Sequence, residues 1–306
     1  MSFDHLQDQI RAMKNPTVVG LDPKPEYVPP HILQACYEEF GANLAGAVHA
    51  VYRFNCGLMD ALSDIVPAVK PQSAYYERLG WRGMKMLERT IAYAKEKGYF
   101  VIADVKRGDI GSTAQAYSEA WLGKTQIGEG AFAAFGADCV TVNGYMGSDA
   151  VNPFLDTCRA EDKCLFVLVK TSNPSSGELQ DRMAGDRLVY QVMGELTQRL
   201  GGTAGKYGFT PAGAVVGATY PSDLQELRKR LEQTFFLVPG YGAQGGTAAD
   251  VRYAFDKHGH GAIVNSSRGI MCAWQKTGKN GEDYQEAARN AAIAMRDDIR
   301  QFVTIA

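Results

Sequence analysis

Residues 99–113 read YFVIADVKRGDIGST, an apolar run that passes directly into a cluster of charged residues. The first part favours β-structure and predicts a buried strand. Alternate side chains of a strand share a face, so we expect Asp104 and Lys106 to point the same way. Gly108 and Gly111 indicate that the strand has ended, which places Asp109 in the following loop. The stretch predicts two acids and a base gathered at the end of a buried strand.

Charges in this position have two interpretations. Opposite charges at the end of a buried strand are costly unless they pair or act on a ligand. A structural ion pair between Asp104 and Lys106 satisfies the first condition. The third charge, on Asp109, favours the other interpretation, in which the charges form an array that acts on a ligand.

The bulk composition is that of an ordinary globular protein. The chain has 306 residues, of which 45% are hydrophobic and 22% charged, and its formal net charge is −2. This balance gives no general attraction to nucleic acid or membrane surfaces. No apolar run reaches the ~18 residues of a membrane span. The N-terminal residues lack the basic and apolar regions of a signal peptide, so we expect a cytoplasmic protein.

The cysteines and histidines give no sign of a metal site. The six cysteines form no Cys-x-x-Cys pair, which argues against a metal site and against a disulfide framework. None of the five histidines has a metal-ligand or triad partner at a readable spacing. The sequence predicts a reducing compartment and neither a metal nor another cofactor.

Eight short apolar strands alternate with helical patterns along the chain. The strands are predicted at residues 17–22, 66–72, the quoted stretch, 138–143, 164–172, 213–219, 235–239 and 262–267. The helices are predicted at residues 31–65 with a break near Gly41, 75–97, 113–129 (whole or broken), 148–159, 188–200, 222–231 and from 284 onward. Eight βα units without a dividing linker predict an α/β fold, a single TIM (β/α)8 barrel over residues 1–306. An open, doubly wound sheet is the alternative.

In such a barrel, catalytic groups lie where strands end and loops begin. The predicted strand ends supply Asp22, Lys70, Asp104, Lys106, Ser172, Gln244 and Arg268. Several charges at one end of one barrel are hard to explain as unrelated salt bridges. Residues 171–177, after the fifth strand, have two open interpretations: a plain turn, or polar contacts to a heterocycle.

The loop after the seventh predicted strand, residues 239–246, reads PGYGAQGG. It fits G-x-G-x-x-G, but the acid that a dinucleotide site needs ~20 residues later is missing. A plain turn and a phosphate cradle remain, and barrel phosphates lie at the loops after strands seven and eight. Arg268 follows strand eight and is suited to clamp a phosphate through two hydrogen bonds; its alternative is a salt bridge at the rim.

Five motifs together resemble a known family. Asp104-x-Lys106-x-x-Asp109-Ile110-x-x-Thr113 is similar to the signature of the orotidine 5′-monophosphate decarboxylases. The other motifs, in that family's order, are Gly20-Leu21-Asp22, Val69-Lys70-Pro71, Pro239-Gly240-x-Gly242-x-Gln244-Gly245-Gly246 and Arg268. The resemblance covers nearly the whole chain and is greatest to the longer bacterial branch.

Two other classes remain as alternatives. Metal-dependent sugar-phosphate decarboxylases and aldolases of the same superfamily share Asp-x-Lys-x-x-Asp, but they hold a metal partly through an acid at the second strand. This sequence has Lys70 there. A catalytically silent nucleotide-binding barrel is the second alternative, although every charged position of the active enzyme is filled.

The resemblance implies a role for each site residue. The implied catalytic residues are Lys70, Asp104, Lys106 and Asp109. The implied substrate-binding residues are Asp22, together with Lys70, at the ribose, Ser172 at the pyrimidine, Gln244 between base and phosphate, Arg268 at the phosphate, and Ile110, Thr113, Pro239 and Gly245.

The resemblance also implies a reaction and an assembly. Orotidine 5′-monophosphate is converted to uridine 5′-monophosphate and CO₂ in de novo pyrimidine biosynthesis, without metal or cofactor, and Lys106 is the proton donor to C6. Asp109, Ile110 and Thr113 are expected to complete the active site of a partner subunit in a homodimer.

Overall fold

The computed structural model describes residues 2–306. Eight parallel strands, numbered β1 to β8 in chain order, form a closed barrel. They are Thr17–Leu21, Ala68–Pro71, Phe100–Arg107, Cys139–Val142, Cys164–Lys170, Ala212–Val216, Phe236–Val238 and Ala262–Ser266. Strand β1 pairs with both β2 and β8, which closes the sheet. The predicted TIM barrel is confirmed, and the open sheet is excluded.

Helices surround this barrel. In the described residues, α1 to α12 are Ser2–Met13, Pro30–Phe40, Leu44–Leu62, Ser73–Glu77, Gly80–Glu96, Gly111–Trp121, Ser148–Glu161, Val189–Gly201, Pro221–Arg230, Ala248–Val251, Arg268–Met271 and Tyr284–Arg300. Short 3-10 helices span Pro25–Tyr27, Pro174–Glu178, Arg252–Ala254 and Ala273–Lys276. Two small hairpins pair Thr125–Ile127 with Gly130–Phe132 and Met183–Ala184 with Arg187–Leu188.

Glycine and capping residues decide where several helices begin and end. The predicted break near Gly41 is confirmed: this residue has φ +85° and ends α2. The side chain of Asn43 then accepts hydrogen bonds from the first free N–H groups of α3. The prediction of one helix over residues 75–97 is wrong, because a turn at Arg78 and Leu79 separates α4 from α5, which begins at Gly80 with φ +67°. The helix predicted from residue 113 ends at Trp121, and a hairpin follows.

Helix α1 covers the N-terminal end of the barrel and was not predicted. Its apolar residues Phe3, Leu6 and Ile10 are buried in one cluster with residues from the barrel strands. The ring of Phe3 stacks on Phe235 with centroids 4.7 Å apart. Each such side chain stabilises the fold by about 1.5–3 kcal/mol when fully buried. With this end covered, the C-terminal end of the barrel is left for a ligand.

Candidate active site

A cavity of about 590 Å³ opens at the C-terminal end of the barrel. Its lining includes eight of the twelve predicted site residues: Asp22, Lys70, Asp104, Lys106, Ser172, Pro239, Gln244 and Arg268. They come from distant parts of the chain and meet because the carboxyl ends of all eight strands converge on this end of the barrel.

The carboxylate of Asp104 is the centre of the charged group. It is 6% exposed. Its Oδ2 accepts hydrogen bonds from Lys70 Nζ at 2.6 Å and Gln72 Nε2 at 3.0 Å. Its Oδ1 accepts from Lys106 Nζ at 2.5 Å and from the Thr141 hydroxyl at 3.0 Å. Since a carboxylate offers about four acceptor positions, this one is saturated and its orientation is fixed.

Burial and neighbouring charge act in opposite directions on these groups. Burial raises the pKa of Asp104, but the ammonium groups of Lys70 and Lys106 outweigh it and hold that pKa well below its usual range. Burial lowers the pKa of Lys70, but Asp104 and Asp22 outweigh it and keep that pKa above its ordinary value. Asp104 and Lys70 are therefore both charged at neutral pH.

A bulge in β3 brings Asp104 and Lys106 to the cavity. Ala103 pairs with Val140 and Arg107 with Val142, so three residues of β3 lie opposite a single residue of β4. Lys106 has φ +49°, in the left-handed region that residues other than glycine rarely adopt. The two side chains meet, as predicted, but the bulge produces this arrangement and the regular pleat of a strand does not.

The loop of residues 239–246 and the start of α11 form the far side of the cavity. Gly240, Gly242 and Gly245 have φ values of +101°, +71° and +98°, which glycine adopts at little cost. The Tyr241 hydroxyl donates to Asp298 Oδ2 at 2.6 Å and ties this loop to α12. Arg268 is exposed, and within residues 2–306 no carboxylate pairs with its guanidinium, which disfavours the rim salt bridge.

Ser172 lies where the loop after β5 passes close to Gly217. A Cβ on Gly217 would come within 2.9 Å of the Ser172 side chain, so glycine is needed for this approach. The side chain of Gln180 accepts from the Thr171 N–H at 2.9 Å and donates to the Thr171 hydroxyl at 2.7 Å. These contacts hold the segment that carries Ser172 along the cavity.

Four predicted site residues do not line this cavity. Asp109, Ile110 and Thr113 lie in the loop after β3 and in the first turn of α6. The apolar side chain of Ile110 is 53% exposed. Gly245 belongs to the glycine-rich loop, where its N–H donates to the Gly242 carbonyl at 2.9 Å. Asp109, Ile110 and Thr113 therefore lie outside the cavity of their own chain.

Several polar residues of the cavity were not predicted as site residues, and Gln72, Thr141 and Asn265 are three of them. Gln72 and Thr141 bond Asp104, and Asn265 of β8 has a buried Oδ1 that finds no donor among the described residues. Gln72 follows Lys70 at a strand end, and asparagine is uncommon in strands, so both carried a usable signal. Thr141 carried none, because threonine is an ordinary strand residue.

The part of the chain that the structure describes shows neither a metal-binding cluster nor a membrane-spanning helix. Within residues 2–306, no group of three or more His, Cys, Asp or Glu side chains is placed to hold a metal ion. The six cysteines are free thiols. No helix in this part of the chain is long and apolar enough to cross a bilayer.

Known proteins resemble this chain over nearly its whole length. A family model described as orotidine 5′-phosphate decarboxylase / HUMPS matches residues 18–280. A protein of Rhodopirellula baltica named orotidine 5′-phosphate decarboxylase is 42% identical over 93% of this chain and 94% of its own length. One of the same name from Clostridium perfringens (strain SM101) is 41% identical and covers 99% of both chains. The solved structure of Leishmania donovani OMP decarboxylase has a TM-score of 0.69 and 31% identity, covering 97% of this chain and 100% of its own.

Proposed function

This chain belongs to the orotidine 5′-phosphate decarboxylase / HUMPS family, and we propose that its cavity binds orotidine 5′-monophosphate and that Lys106 protonates C6 as CO₂ leaves. Its activity is that of a carboxy-lyase of pyrimidine biosynthesis. The sugar-phosphate alternative is not favoured, because relatives at 41–42% identity carry the decarboxylase name.

One observation carries this proposal: a lysine amine is held by a buried carboxylate and still borders open cavity space. Lys106 Nζ lies 2.5 Å from Asp104 Oδ1, and 45% of the Lys106 side chain is exposed, against 8% for Asp104. A substrate atom in the cavity can therefore approach the ammonium while the hydrogen bond to Asp104 keeps it oriented.

The reaction asks for charge stabilisation and a proton. The bond between C6 and the carboxylate carbon breaks, CO₂ departs, and the electron pair remains on C6. The pyrimidine ring has no good sink for that pair, so the Lys106 ammonium first stabilises the growing charge and then donates its proton to C6. The product is uridine 5′-monophosphate, and the neutral amine regains a proton from water.

The rest of the nucleotide is bound by groups away from C6. Asp22 has a buried carboxylate oxygen, Oδ1, with no donor among the described residues, and a ribose hydroxyl would supply one. Ser172 borders the pyrimidine. The phosphate is bound by Gln244, the glycine-rich loop and Arg268. The binding energy gained at the phosphate, far from C6, helps to position the groups around the reacting carbon.

We further propose that the enzyme is a cytoplasmic homodimer. Asp109, Ile110 and Thr113 follow the catalytic strand directly and do not line their own cavity. The exposed side chain of Ile110 becomes buried when the loop docks on a second copy. Asp109 then adds a second carboxylate to the partner's charged group.

The test is a direct assay with purified protein. Loss of orotate absorbance is followed on incubation with orotidine 5′-monophosphate, in the presence of a chelator, and the product is identified by chromatography. We expect uridine 5′-monophosphate at full rate. A protein that consumes no substrate, or that needs an added divalent metal, contradicts the proposal.

A further inference from the structure

The bulge in β3 leaves two backbone groups without a regular strand partner. Between the pairs Ala103–Val140 and Arg107–Val142, the register of β3 and β4 is interrupted, and the N–H groups of Val105 and Lys106 lie outside the regular ladder. Buried backbone N–H groups of this kind are destabilising unless another acceptor replaces the missing one. The bulge therefore depends on whatever side chain supplies that acceptor.

The hydroxyl of Thr141 supplies it. Thr141 Oγ1 accepts from the N–H groups of both Val105 and Lys106, each at 2.9 Å, and donates to Asp104 Oδ1 at 3.0 Å. A hydroxyl has two acceptor positions and one donor, so all are used. Thr141 is 1% exposed, so water does not compete for these bonds.

We propose that Thr141 is a positioning residue for the decarboxylation, which couples the strained backbone at Lys106 to the orientation of the Asp104 carboxylate. This inference rests on the proposed function. The Thr141 hydroxyl accepts hydrogen bonds from the backbone at Lys106, the proton donor. The same oxygen donates to the Asp104 carboxylate, which in turn bonds the Lys106 ammonium. Its action on C6 is indirect, through Asp104 and Lys106.

The effect of losing this hydroxyl falls on catalysis more than on binding. The residues proposed to bind the phosphate are Gln244, in the loop after β7, and Arg268, at the start of α11, and neither forms a hydrogen bond with the Thr141 hydroxyl. A displacement of about 1 Å at the reacting groups is enough to lower a rate about 100-fold. We therefore expect kcat to fall while nucleotide affinity is retained.

The experiment compares Thr141→Val, which keeps the shape and removes the hydroxyl, with Thr141→Ser, which keeps the hydroxyl. Thr90→Val is the matched control, because Thr90 is fully buried in α5, its hydroxyl donates to the Met86 carbonyl at 2.8 Å and also bonds Tyr76, and neither Thr90 nor Tyr76 lines the cavity. For Thr141→Val we expect kcat about 100-fold lower, with KM and the affinity for uridine 5′-monophosphate close to wild type. Thr141→Ser restores most of the lost kcat, and Thr90→Val keeps the wild-type kcat.

The outcomes separate this inference from the proposed function. If wild type does not decarboxylate orotidine 5′-monophosphate, the proposed function fails. If wild type is active and Thr141→Val keeps a kcat within about threefold of it, or loses kcat and product affinity together, the positioning role is wrong. Should Thr141→Val not fold, Thr141→Cys replaces it: its longer, weaker hydrogen bonds must lower kcat below that of Thr141→Ser.

Discussion

Lys70 and Lys106 bond the two oxygens of the same carboxylate, yet their removal should have different consequences. The Lys70 side chain is 6% exposed and that of Lys106 is 45% exposed. Removing one partner of a buried ion pair costs about 3–5 kcal/mol, and Asp104 keeps other donors, so we expect about 3 kcal/mol for Lys70→Met. The Lys106 side chain is half exposed, and Lys70 still pairs with Asp104 in its absence, so Lys106→Met should lower the free energy of unfolding by about 1 kcal/mol, less than Lys70→Met does.

For Lys106→Met, the loss of turnover should be much larger than the loss of stability. A positioned proton donor contributes about 10²–10⁴-fold, and a preorganised charge about 10²–10³-fold. Lys106→Met loses both, so its kcat should fall at least about 10⁴-fold, equivalent to about 5.5 kcal/mol of barrier. Because the phosphate site is remote, its affinity for uridine 5′-monophosphate should change little.

The assay pairs urea unfolding with orotate absorbance for both variants. Lys124→Met is the control, since Lys124 pairs with Glu161 at 3.0 Å, is 48% exposed and does not line the cavity. It should change neither quantity appreciably. The reasoning is refuted if Lys106→Met destabilises the protein as much as Lys70→Met does, or keeps more than about 1% of wild-type turnover.

Three further predictions concern the phosphate, the dimer and pH. Arg268→Ala should raise KM for orotidine 5′-monophosphate about 100-fold, since it removes charge-assisted hydrogen bonds of about 1.5–3 kcal/mol each. An equal loss of affinity for unphosphorylated orotidine would show that Arg268 does not bind the phosphate. Mixing the inactive Asp109→Asn and Lys106→Met proteins should restore up to about a quarter of wild-type activity, because about half of the dimers are mixed and each mixed dimer has one intact site of two. If the mixture stays inactive although subunit exchange is verified, Asp109 acts in the site of its own subunit. Because the pKa of Asp104 is lowered by folding, its stabilisation is complete at neutral pH and is lost as pH falls below about 4. Between about pH 4 and pH 2, the free energy of unfolding of wild type should therefore fall more steeply than that of Asp104→Asn, and equal slopes would contradict the ion-pair assignment.

The barrel could be predicted from the sequence because its strands are short apolar runs with clear boundaries. Polar residues at strand ends then converge by topology alone, which is why Asp22, Lys70, Asp104 and Arg268 were correctly expected around one cavity. Helix α1 was missed because only three of its twelve residues, Phe3, Leu6 and Ile10, form a buried apolar stripe. Its burial depends on strands far along the chain.

The local geometry of β3 could not be predicted. The left-handed backbone at Lys106 contradicts the preference of lysine, and the bonds from Thr141 that stabilise it join residues 35 and 36 positions apart in the chain. No local pattern records such a contact. The sequence therefore indicates which residues carry the charges, and tertiary structure alone determines how the carboxylate is oriented.

Because α1 covers the N-terminal end of the barrel, its position in the chain has a consequence for folding during synthesis. This helix leaves the ribosome before any strand it contacts, and its partners Phe166 and Phe235 follow more than 150 residues later. Contacts of such long sequence separation form slowly, because a large loop must close before they stabilise anything. During translation the apolar side of α1 therefore stays exposed until these strands have been synthesised. We expect chaperones that bind nascent chains to affect the yield of native enzyme more than its final activity.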